Sequence, residues 1–415
     1  MSDQTAARRV IEVGKRVLRP TVPRPVTVCP KRPGDYPHVP AVYLDVAQRL
    51  SSPLSMGPPL CDELVELVRH LFTEQEAAVV RHLGVFRGRS AEQVARAERR
   101  PADQIEPILD RLATVKRAIA AAGPDGKRKY HLMPIMPGIF EMVLVGQSPE
   151  TMSPWHRRFA ELFEALYETG YFTQYTLAQK SRPTPLVRFL PVSRAIEAHP
   201  MALPSDRLEV VLDRYELFGV GQCQCRMAMQ VTGRGCGRPI GNCTVMGRWA
   251  EEGIRQGIMR QVSKPEALAI KREAEEHGMV NWMMNVDSAD GQISCSCCGC
   301  CCHAMRMVNE YDAPAAIAPP HFLPRFDTAQ CTWCGKCVRA CPMGALAMDL
   351  DAKTREHRQA RCIGCGLCAV ACGDRRAIAM EPVPDHKLPY KSWFSFLWHN
   401  GPGIARAAWK VWRSR

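Results

Sequence analysis

Several common signatures are missing from this sequence. No segment approaches the roughly 18 consecutive apolar residues that a membrane-spanning helix needs. A Gly-x-Gly-x-x-Gly segment after a strand and a P-loop are also missing, so the sequence gives no indication of a flavin, nicotinamide or ATP site. Residues 1–20 mix charged and apolar residues without the apolar segment of a secretory signal, so we expect a cytoplasmic protein with reduced thiols.

Composition and charge bound the class of protein. The 415 residues are 46% hydrophobic and 23% charged, which is typical of a globular chain long enough for two or three domains. The formal net charge of +13 favours an anionic partner, whether an acidic protein, a nucleic acid or a phospholipid surface. The charge alone does not choose among these partners.

The distribution of prolines, apolar residues and cysteines predicts a multidomain α+β fold. In chain order we predict a basic N-terminal helix and proline-rich arm (1–59), a helical domain that ends in a hairpin (60–146), a helical linker (147–210), a cysteine-rich α domain (211–320), a second cysteine-rich domain of different spacing (321–384) and a basic aromatic amphipathic tail (385–415). For residues 1–19 a solvated, frayed terminus is the alternative to a helix. Seven prolines in residues 20–40 favour an extended arm.

Apolar residues recur at helical spacing between residues 60 and 146. They predict helices at 64–72, 74–83, 90–97 and 102–113, followed by a hairpin with its turn at 123–126. This order resembles a winged helix-turn-helix. The segment that would be the recognition helix mixes acidic and basic residues, so docking to a protein is favoured over binding to nucleic acid. A longer helix at 153–180 is expected to pack against this domain or to pair the subunits of a homodimer.

The strongest pattern is a C-x2-C-x2-C-x3-C spacing that occurs twice near the C-terminus. Such a repeat holds two [4Fe-4S] clusters, because each cluster takes three thiolates from one loop and the fourth from the other. The predicted ligands are Cys331, Cys334, Cys337 and Cys372 for one cluster, and Cys341, Cys362, Cys365 and Cys368 for the other. The apolar segments 345–348 and 377–380 predict short strands that pack over the clusters.

About 55 residues around this repeat closely resemble the bacterial-type ferredoxin fold. Gly335 and Gly366 stand at the repeat positions where small residues let the loop backbone approach the sulfurs. Gly373 replaces the usual proline, which shapes the loop and is not a ligand. Zinc is the alternative metal, but eight thiols in two four-ligand runs exceed the four ligands that it takes.

Ten further cysteines lie upstream, between residues 223 and 302. We predict that they hold one or two further [4Fe-4S] clusters, and structural zinc or a redox relay of reactive thiols are the alternatives. The favoured ligands are Cys223, Cys225, Cys236 and Cys243, followed by Cys295, Cys298 and Cys301. Arg226 is expected either to place positive charge beside a cluster or to form a surface salt bridge.

Three of these cysteine segments resemble a family of larger bacterial iron–sulfur proteins that carry them before a two-cluster ferredoxin module. They are CQCR (223–226), CGRPIGNC (236–243) and CSCCGCCC (295–302), in the family's order. The resemblance implies electron transfer and says little about a substrate.

The C-terminal tail is basic and aromatic, and residues 386–415 contain no acidic residue. A helix from Gly403 would carry a basic stripe (Arg406, Lys410, Arg413) opposite an apolar one (Ile404, Ala408, Val411, Trp412). Such a helix is typical of a peripheral contact with a membrane surface, here the cytoplasmic face of the inner membrane. Docking on the protein's own surface or on a partner subunit is the alternative.

These patterns favour an iron–sulfur electron-transfer protein, a relay subunit of an oxidoreductase that passes single electrons to or from a redox partner protein. Two alternatives stay open. One is a redox-sensing transcription regulator that acts through the winged helix, and the other is an oxidoreductase with catalysis at the CSCCGCCC segment. The sequence assigns no catalytic residue, donor, acceptor or substrate.

Overall fold

The structure is a computed structural model that describes residues 10–13, 17–20, 22–85, 87–123, 127–177 and 185–414. Helices and sheets are mixed, in agreement with the α+β prediction. The chain divides into two compact units. One consists of Met1–Pro25 with Gln179–Gly403, and the other of Val26–Ala178 with Ile404–Arg415.

The strands and helices of the described residues have the following bounds. The strands are β1 (Val10–Val13), β2 (Val17–Pro20), β3 (Ile119–Ala122), β4 (Lys129–Leu132), β5 (Val187–Phe189), β6 (Phe218–Gly221), β7 (Cys243–Gly247), β8 (Arg260–Val262), β9 (Val280–Met284), β10 (Gly291–Cys297), β11 (Phe322–Phe326), β12 (Leu346–Asp349), β13 (Thr354–His357) and β14 (Ile378–Pro382). The helices are α1 (Ala41–Leu50), α2 (Asp62–Leu71), α3 (Glu74–Val80), α4 (Ala91–Glu98), α5 (Ala102–Thr114), α6 (Phe140–Leu144), α7 (Pro154–Glu168), α8 (Thr173–Leu177), α9 (Ser193–Ile196), α10 (Leu208–Leu212), α11 (Gln224–Val231), α12 (Arg248–Arg255), α13 (Lys264–Glu276), α14 (His303–Tyr311), α15 (Lys336–Ala340), α16 (Leu367–Cys372) and α17 (Trp393–Arg413).

The helical unit contains the elements predicted for residues 60–146. Helices α2 to α5 lie at the predicted segments, and β3 pairs antiparallel with β4. The start of α3 shows why the helices begin where they do: the Thr73 hydroxyl accepts from the Glu76 N–H, and the Glu76 carboxylate accepts from the Thr73 N–H at 2.8 Å. The winged-helix identity of this arrangement stays a prediction.

Two of the three basic side chains of the predicted recognition helix, those of Arg111 and Lys116, pair within their own unit. The buried carboxylate of Glu76 accepts from Lys116 at 2.7 Å and from Arg111 at 2.5 Å. Arg128, next to β4, donates to Asp110 at 2.9 Å. These pairs neutralise cations that would otherwise face phosphates, which weighs against a nucleic-acid interface at this helix.

The long helix predicted at 153–180 is divided into α7 and α8 in the described residues. Helix α7 packs against α2: the indole N–H of Trp155 donates to the His70 carbonyl at 3.2 Å, and the two rings stack at 5.1 Å. Phe159 and Phe163 of α7 are buried, as its apolar face predicts.

The cysteine-rich region is built on a sheet, so the predicted α domain at 211–320 is wrong. Six strands pair antiparallel in the order β5, β9, β10, β7, β6, β8. The alternation of apolar and polar residues that marks a strand is concealed in β10, because Ser294 and Ser296 are buried polar residues among cysteines. Helix α13 packs on this sheet next to β9 and β10.

The ferredoxin segment pairs β11 with β14 and β12 with β13, each pair antiparallel, and α15 and α16 follow the two cysteine loops. The strands predicted at 345–348 and 377–380 are confirmed as β12 and β14. The helix predicted at 1–19 is wrong for the described residues, because β1 and β2 form a hairpin and β2 pairs with β12. The β-branched residues of this segment favour strands.

The tail forms the helix α17, which begins before the predicted start at Gly403. Ala408 and Val411 are buried as expected, whereas Trp412 is 65% exposed and does not share their face. Within the described ranges, no helix is long and apolar enough to cross a membrane.

Candidate iron–sulfur and metal sites

Two loops of the same design carry the ferredoxin cysteines. In each loop a glycine in the left-handed conformation precedes a short helix, Gly335 (φ 71°) before α15 and Gly366 (φ 74°) before α16. A Cβ added at Gly366 would lie 2.3 Å from the Cβ of Ala195, so backbone conformation and space both require glycine there. The glycine sets the turn between the second and third cysteines of its loop.

Two small cavities adjoin these loops, with volumes of about 30 and 20 Å³. The first is lined by Cys331, Cys334, Cys337 and Cys372, and the second by Cys341, Cys362, Cys365 and Cys368. Each cavity thus collects three cysteines of one loop and the fourth cysteine of the other. This is the crossed grouping that the spacing predicts, and ligation by these residues stays a prediction.

The cysteines at the two cavities differ in their exposure to solvent. Cys334 at the first cavity is exposed, and so are Lys336 and Arg375 in its lining. At the second cavity Cys365 and Cys368 are buried. The first cavity therefore has an exposed thiol at its edge, whereas most thiols of the second are shielded from solvent.

Burial and one cation set the electrostatics of the ferredoxin thiols. Burial raises the pKa of Cys337 to about 11 and that of Cys362 to about 12. These thiols become thiolates at neutral pH when bound metal supplies positive charge. At the first cavity, Arg355 places its Nη1 atom 3.9 Å from the sulfur of Cys331, and its guanidinium stacks on Phe326 at 4.0 Å.

Six upstream thiols form one connected group, named here the six-thiol site. Each contacts the next in the order Cys223, Cys225, Cys302, Cys297, Cys295, Cys243. They come from the start of α11, the start of β7, the end of β10 and the residue before α14. His303 adds an imidazole whose Nδ1 lies 3.1 Å from the sulfur of Cys225. Side-chain alternation along β10 explains why Cys295 and Cys297 share a face.

A buried lysine lies beside the six-thiol site. Lys271 of α13 donates to the carbonyls of Ser294 at 2.5 Å and Asn242 at 3.2 Å, and to the hydroxyl of Ser296 at 3.3 Å. Burial lowers the pKa of Lys271 to about 8, and the neighbouring thiol of Cys295 opposes this shift. The ammonium thus keeps its charge at neutral pH with all three donors satisfied.

Arg226 is the second buried cation, and the surface salt bridge that the sequence allowed is wrong for it, because the residue is 3% exposed. Its guanidinium donates to the Ser296 carbonyl at 2.8 Å and to the Asn242 side chain. Burial would lower the pKa of Arg226, but the thiols of Cys223 and Cys298 raise it. Arg226 therefore carries fixed positive charge among the upstream thiols, and its position beside a cluster stays a prediction.

The four remaining upstream thiols form a second, smaller group, named here the four-thiol site. It consists of Cys236, Cys298, Cys300 and Cys301, whose sulfurs all lie within 4.8 Å of one another. Neighbouring thiols hold the pKa of Cys298 well below its usual value. Arg238 places Nη1 3.5 Å from the sulfur of Cys300.

The predicted upstream ligands fall into two separate groups in the structure, and the sequence does not show this division. Cys236 lies apart from Cys223, Cys225 and Cys243 and belongs to the four-thiol site, together with Cys298 and Cys301. Cys295 belongs to the six-thiol site. Sequence reasoning passed over Cys297, Cys300 and Cys302, although the strand period pairs Cys297 with Cys295.

One amide side chain links the CSCCGCCC loop to the ferredoxin segment. Asn309 of α14 is buried, and its Nδ2 donates to the carbonyls of Gly299 and Pro342, each at 2.9 Å. Gly299 stands between two cysteines of the four-thiol site, and Pro342 directly follows Cys341 at the second ferredoxin cavity. The loop and that cavity are therefore neighbours within one unit.

A separate group of Asp206, His321 and His386 also has the spacing of a metal site. Asp206 accepts from His321 Nδ1 at 2.7 Å and from the Leu203 N–H at 2.8 Å. Both donors reach the same carboxylate oxygen, Oδ2, so protein groups already occupy that oxygen, as in a structural pair.

The ferredoxin segment matches a known family. Residues 323–373 match the family model described as a 4Fe-4S dicluster domain. No curated protein and no solved structure matches the chain. The family match and the cysteine-rich region together support an iron–sulfur protein with [4Fe-4S] clusters and a ferredoxin-like domain towards its C-terminus. The upstream thiol sites lie outside the matched residues.

Proposed function

We propose that this protein is an electron relay, a subunit of an oxidoreductase that passes single electrons between a partner protein and a centre in its cysteine-rich region. The observation that supports this most is the arrangement of the thiol sites. Cys334 is exposed at the first ferredoxin cavity, three of the four cysteines at the second cavity are buried, and Asn309 joins the chain beside the second cavity to the CSCCGCCC loop. Electrons enter or leave at the first cavity and pass inward, one at a time, as [4Fe-4S] clusters carry them.

The inner end of this relay is the six-thiol site, which we assign to a polynuclear iron–sulfur cluster. Six thiols exceed the ligands of one tetrahedral ion. The cations Lys271 and Arg226 beside them compensate thiolate charge. Because each added electron makes a cluster more negative, buried cations favour its reduced state and raise its potential.

Iron and acid-labile sulfide per chain, with electron paramagnetic resonance (EPR) of the dithionite-reduced protein, test this function. Two ferredoxin clusters account for about eight irons and two spin systems, and the relay predicts iron and a spin system beyond these. Cys225→Ala should remove the additional signal and leave the ferredoxin signals. Cys61→Ala, which changes a buried cysteine outside all four sites, is the matched control.

Two outcomes would contradict the proposal at different levels. If the chain contains about eight irons and shows only the two ferredoxin spin systems, the six-thiol site holds no cluster. If the anaerobically purified chain shows no reducible iron–sulfur signal, the proposed electron relay is refuted.

A second candidate function is catalysis at the six-thiol site, favoured by its two thiols beyond the four that a cubane takes. A thiol that leaves its iron would open a coordination position for a substrate. Adding cyanide as a small probe should then shift the EPR signal of this centre and leave the ferredoxin signals unchanged. Unchanged signals throughout would favour a purely electron-transferring centre.

We further propose that α17 lies on an anionic phospholipid surface. Five large apolar side chains are exposed along it: Phe394, Leu397, Trp398, Trp409 and Trp412. The same helix carries Arg406, Lys410 and Arg413, and residues 386–415 contain no acidic residue. Apolar area and positive charge together are what binds a helix to such a surface.

Co-sedimentation with vesicles containing phosphatidylglycerol tests the membrane contact. Trp398→Ala combined with Trp409→Ala should weaken binding, and vesicles of neutral lipid should bind the unchanged protein less well. Leu388→Ala is the control, because Leu388 is 61% exposed but lies outside α17. Equal binding by all variants would refute the contact.

A further inference from the structure

We propose that the four-thiol site binds a single zinc ion, separate from every iron–sulfur cluster of the protein. Cys236 comes from the loop after α11, and Cys298, Cys300 and Cys301 come from the loop between β10 and α14. This assignment does not depend on the electron relay, because it rests on the size of the site. It replaces the predicted cubane at these cysteines with a redox-inert ion.

The distances between the sulfurs fit one tetrahedral ion. Zinc binds thiolate at about 2.3 Å, so the sulfurs of a tetrahedral zinc site stand about 3.8 Å apart. The sulfurs of Cys236 and Cys298 are 3.9 Å apart, and those of Cys300 and Cys301 are 3.8 Å apart. A cubane binds each thiolate through a different iron, so its sulfurs are separated further by the iron–iron distance.

The other cysteines of the chain provide an internal comparison. Among the described residues, no three thiols of the ferredoxin loops or of the six-thiol site lie within 4.8 Å of one another, whereas all four thiols of this site do. The ferredoxin cysteines lie within residues 323–373, which match the family model of a 4Fe-4S dicluster domain. The four-thiol site therefore has a different size from the cluster sites of the same protein.

Charge balance supports a closed zinc site. Four thiolates and one Zn²⁺ leave a net charge of about −2. Two guanidiniums lie against these sulfurs: Arg238 is 3.5 Å from Cys300, and Arg226 is 3.9 Å from Cys298. They offset the excess negative charge, and tetrahedral coordination by four sulfurs is the arrangement that zinc adopts in structural sites.

The ion would fix the geometry of the neighbouring six-thiol site. Cys297 and Cys302 of that site stand directly before Cys298 and directly after Cys301 in the chain. Holding Cys298 and Cys301 on one ion therefore restrains both ends of the loop that presents Cys297 and Cys302. Zinc thus acts here as a structural ion that positions cluster ligands.

Metal analysis of the full-length, anaerobically purified protein tests the proposal. The unchanged chain should contain about one zinc, and X-ray absorption at the zinc edge should show about four sulfurs at about 2.3 Å without a neighbouring metal. Cys236→Ala should lose zinc. Cys236→His should retain zinc, because imidazole is a zinc ligand, and this variant guards against a simple failure to fold. Cys225→Ala, at the six-thiol site, should retain zinc.

Three results would overturn the proposal. Zinc could be absent from the unchanged protein while Cys236→Ala loses about four irons, as expected of a cubane. X-ray absorption could show a zinc–metal neighbour or oxygen ligands. A mononuclear ferric EPR signal that disappears in Cys236→Ala would assign the site to a single iron.

Discussion

The first ferredoxin cavity carries a cation whose removal should change a redox potential by a predictable amount. The Nη1 atom of Arg355 is 3.9 Å from the sulfur of Cys331, and the guanidinium is held by stacking on Phe326. Arg355→Leu keeps apolar bulk over the ring and removes the charge. An added electron on the cluster then loses an attractive partner, so the midpoint potential of this cluster falls.

Coulomb's law gives the size of the shift. The added electron spreads over the cluster, so we take a mean separation of about 6 Å between it and the guanidinium. Their attraction is then about 0.7 kcal/mol at the dielectric constant of water and about 2.8 kcal/mol at a dielectric constant of about 20. Because about 1.4 kcal/mol corresponds to about 59 mV for one electron, these limits are about 30 and 120 mV. Arg355 is partly exposed, so screening favours the lower part of this range, about 30 to 60 mV.

An EPR-monitored redox titration under anaerobic conditions measures this shift, and the second cluster serves as reference within each sample. Arg358→Leu is the matched control, because Arg358 is an exposed arginine that pairs with Glu356 at 2.8 Å. The shift should shrink as salt concentration rises. An unchanged potential in Arg355→Leu, or an equal shift in Arg358→Leu, would refute the electrostatic reasoning.

Three further predictions concern pH, packing and the link between the sites. Burial raises the pKa of Glu275 from 4.5 to about 7, so its protonated form favours the folded state, and stability present below pH 4.5 is lost as pH rises through 7. The free energy of unfolding, measured by thermal unfolding under anaerobic conditions, should therefore decline by about 2 kcal/mol between pH 5 and 8. Glu275→Gln should abolish this decline. Glu276→Gln, which changes an exposed residue, should retain it. Gly366→Ala should lower the free energy of unfolding by about 2 kcal/mol or more and weaken the EPR signal of the second cluster. Gly401→Ala is the control, because Gly401 has open space around it, and it should change neither quantity. Asn309→Leu leaves two carbonyls without their donor, so it should lower the melting temperature by an amount equivalent to about 1–3 kcal/mol and slow electron equilibration between the clusters in freeze-quench EPR.

The ferredoxin segment could be predicted from its sequence because local spacing determines it. The first three cysteines of each loop, separated from one another by two residues, reach one cluster whatever surrounds them, and the repeat doubles the signal. The cavities accordingly collect the thiols in the crossed grouping. The strands β12 and β14 follow the same local logic, since a short apolar run after each loop has a single face to bury.

The upstream thiols could not be sorted from sequence because their grouping depends on long-range strand pairing. Cys243 and Cys295 meet because β7 and β10 are neighbours in the sheet, although the two residues are far apart in the chain. In the CSCCGCCC loop, adjacent residues belong to different sites: Cys297 to the six-thiol site and Cys298 to the four-thiol site. The directions in which neighbouring side chains point are set by the backbone dihedral angles, which the composition of the loop does not reveal.

Arg226 connects the two upstream sites, and its position explains why they occur together. It donates to the carbonyl of Ser296, between two cysteines of the six-thiol site, and lies 3.9 Å from the sulfur of Cys298 in the four-thiol site. One buried charge therefore lies beside both sites. If both hold the metals proposed above, Arg226 offsets thiolates of both, and loss of either metal would leave that guanidinium partly uncompensated. If zinc holds the four-thiol site, the charge there stays constant during electron transfer. Only the interaction of Arg226 with the six-thiol site then changes during electron transfer, because the charge of that site changes with each electron.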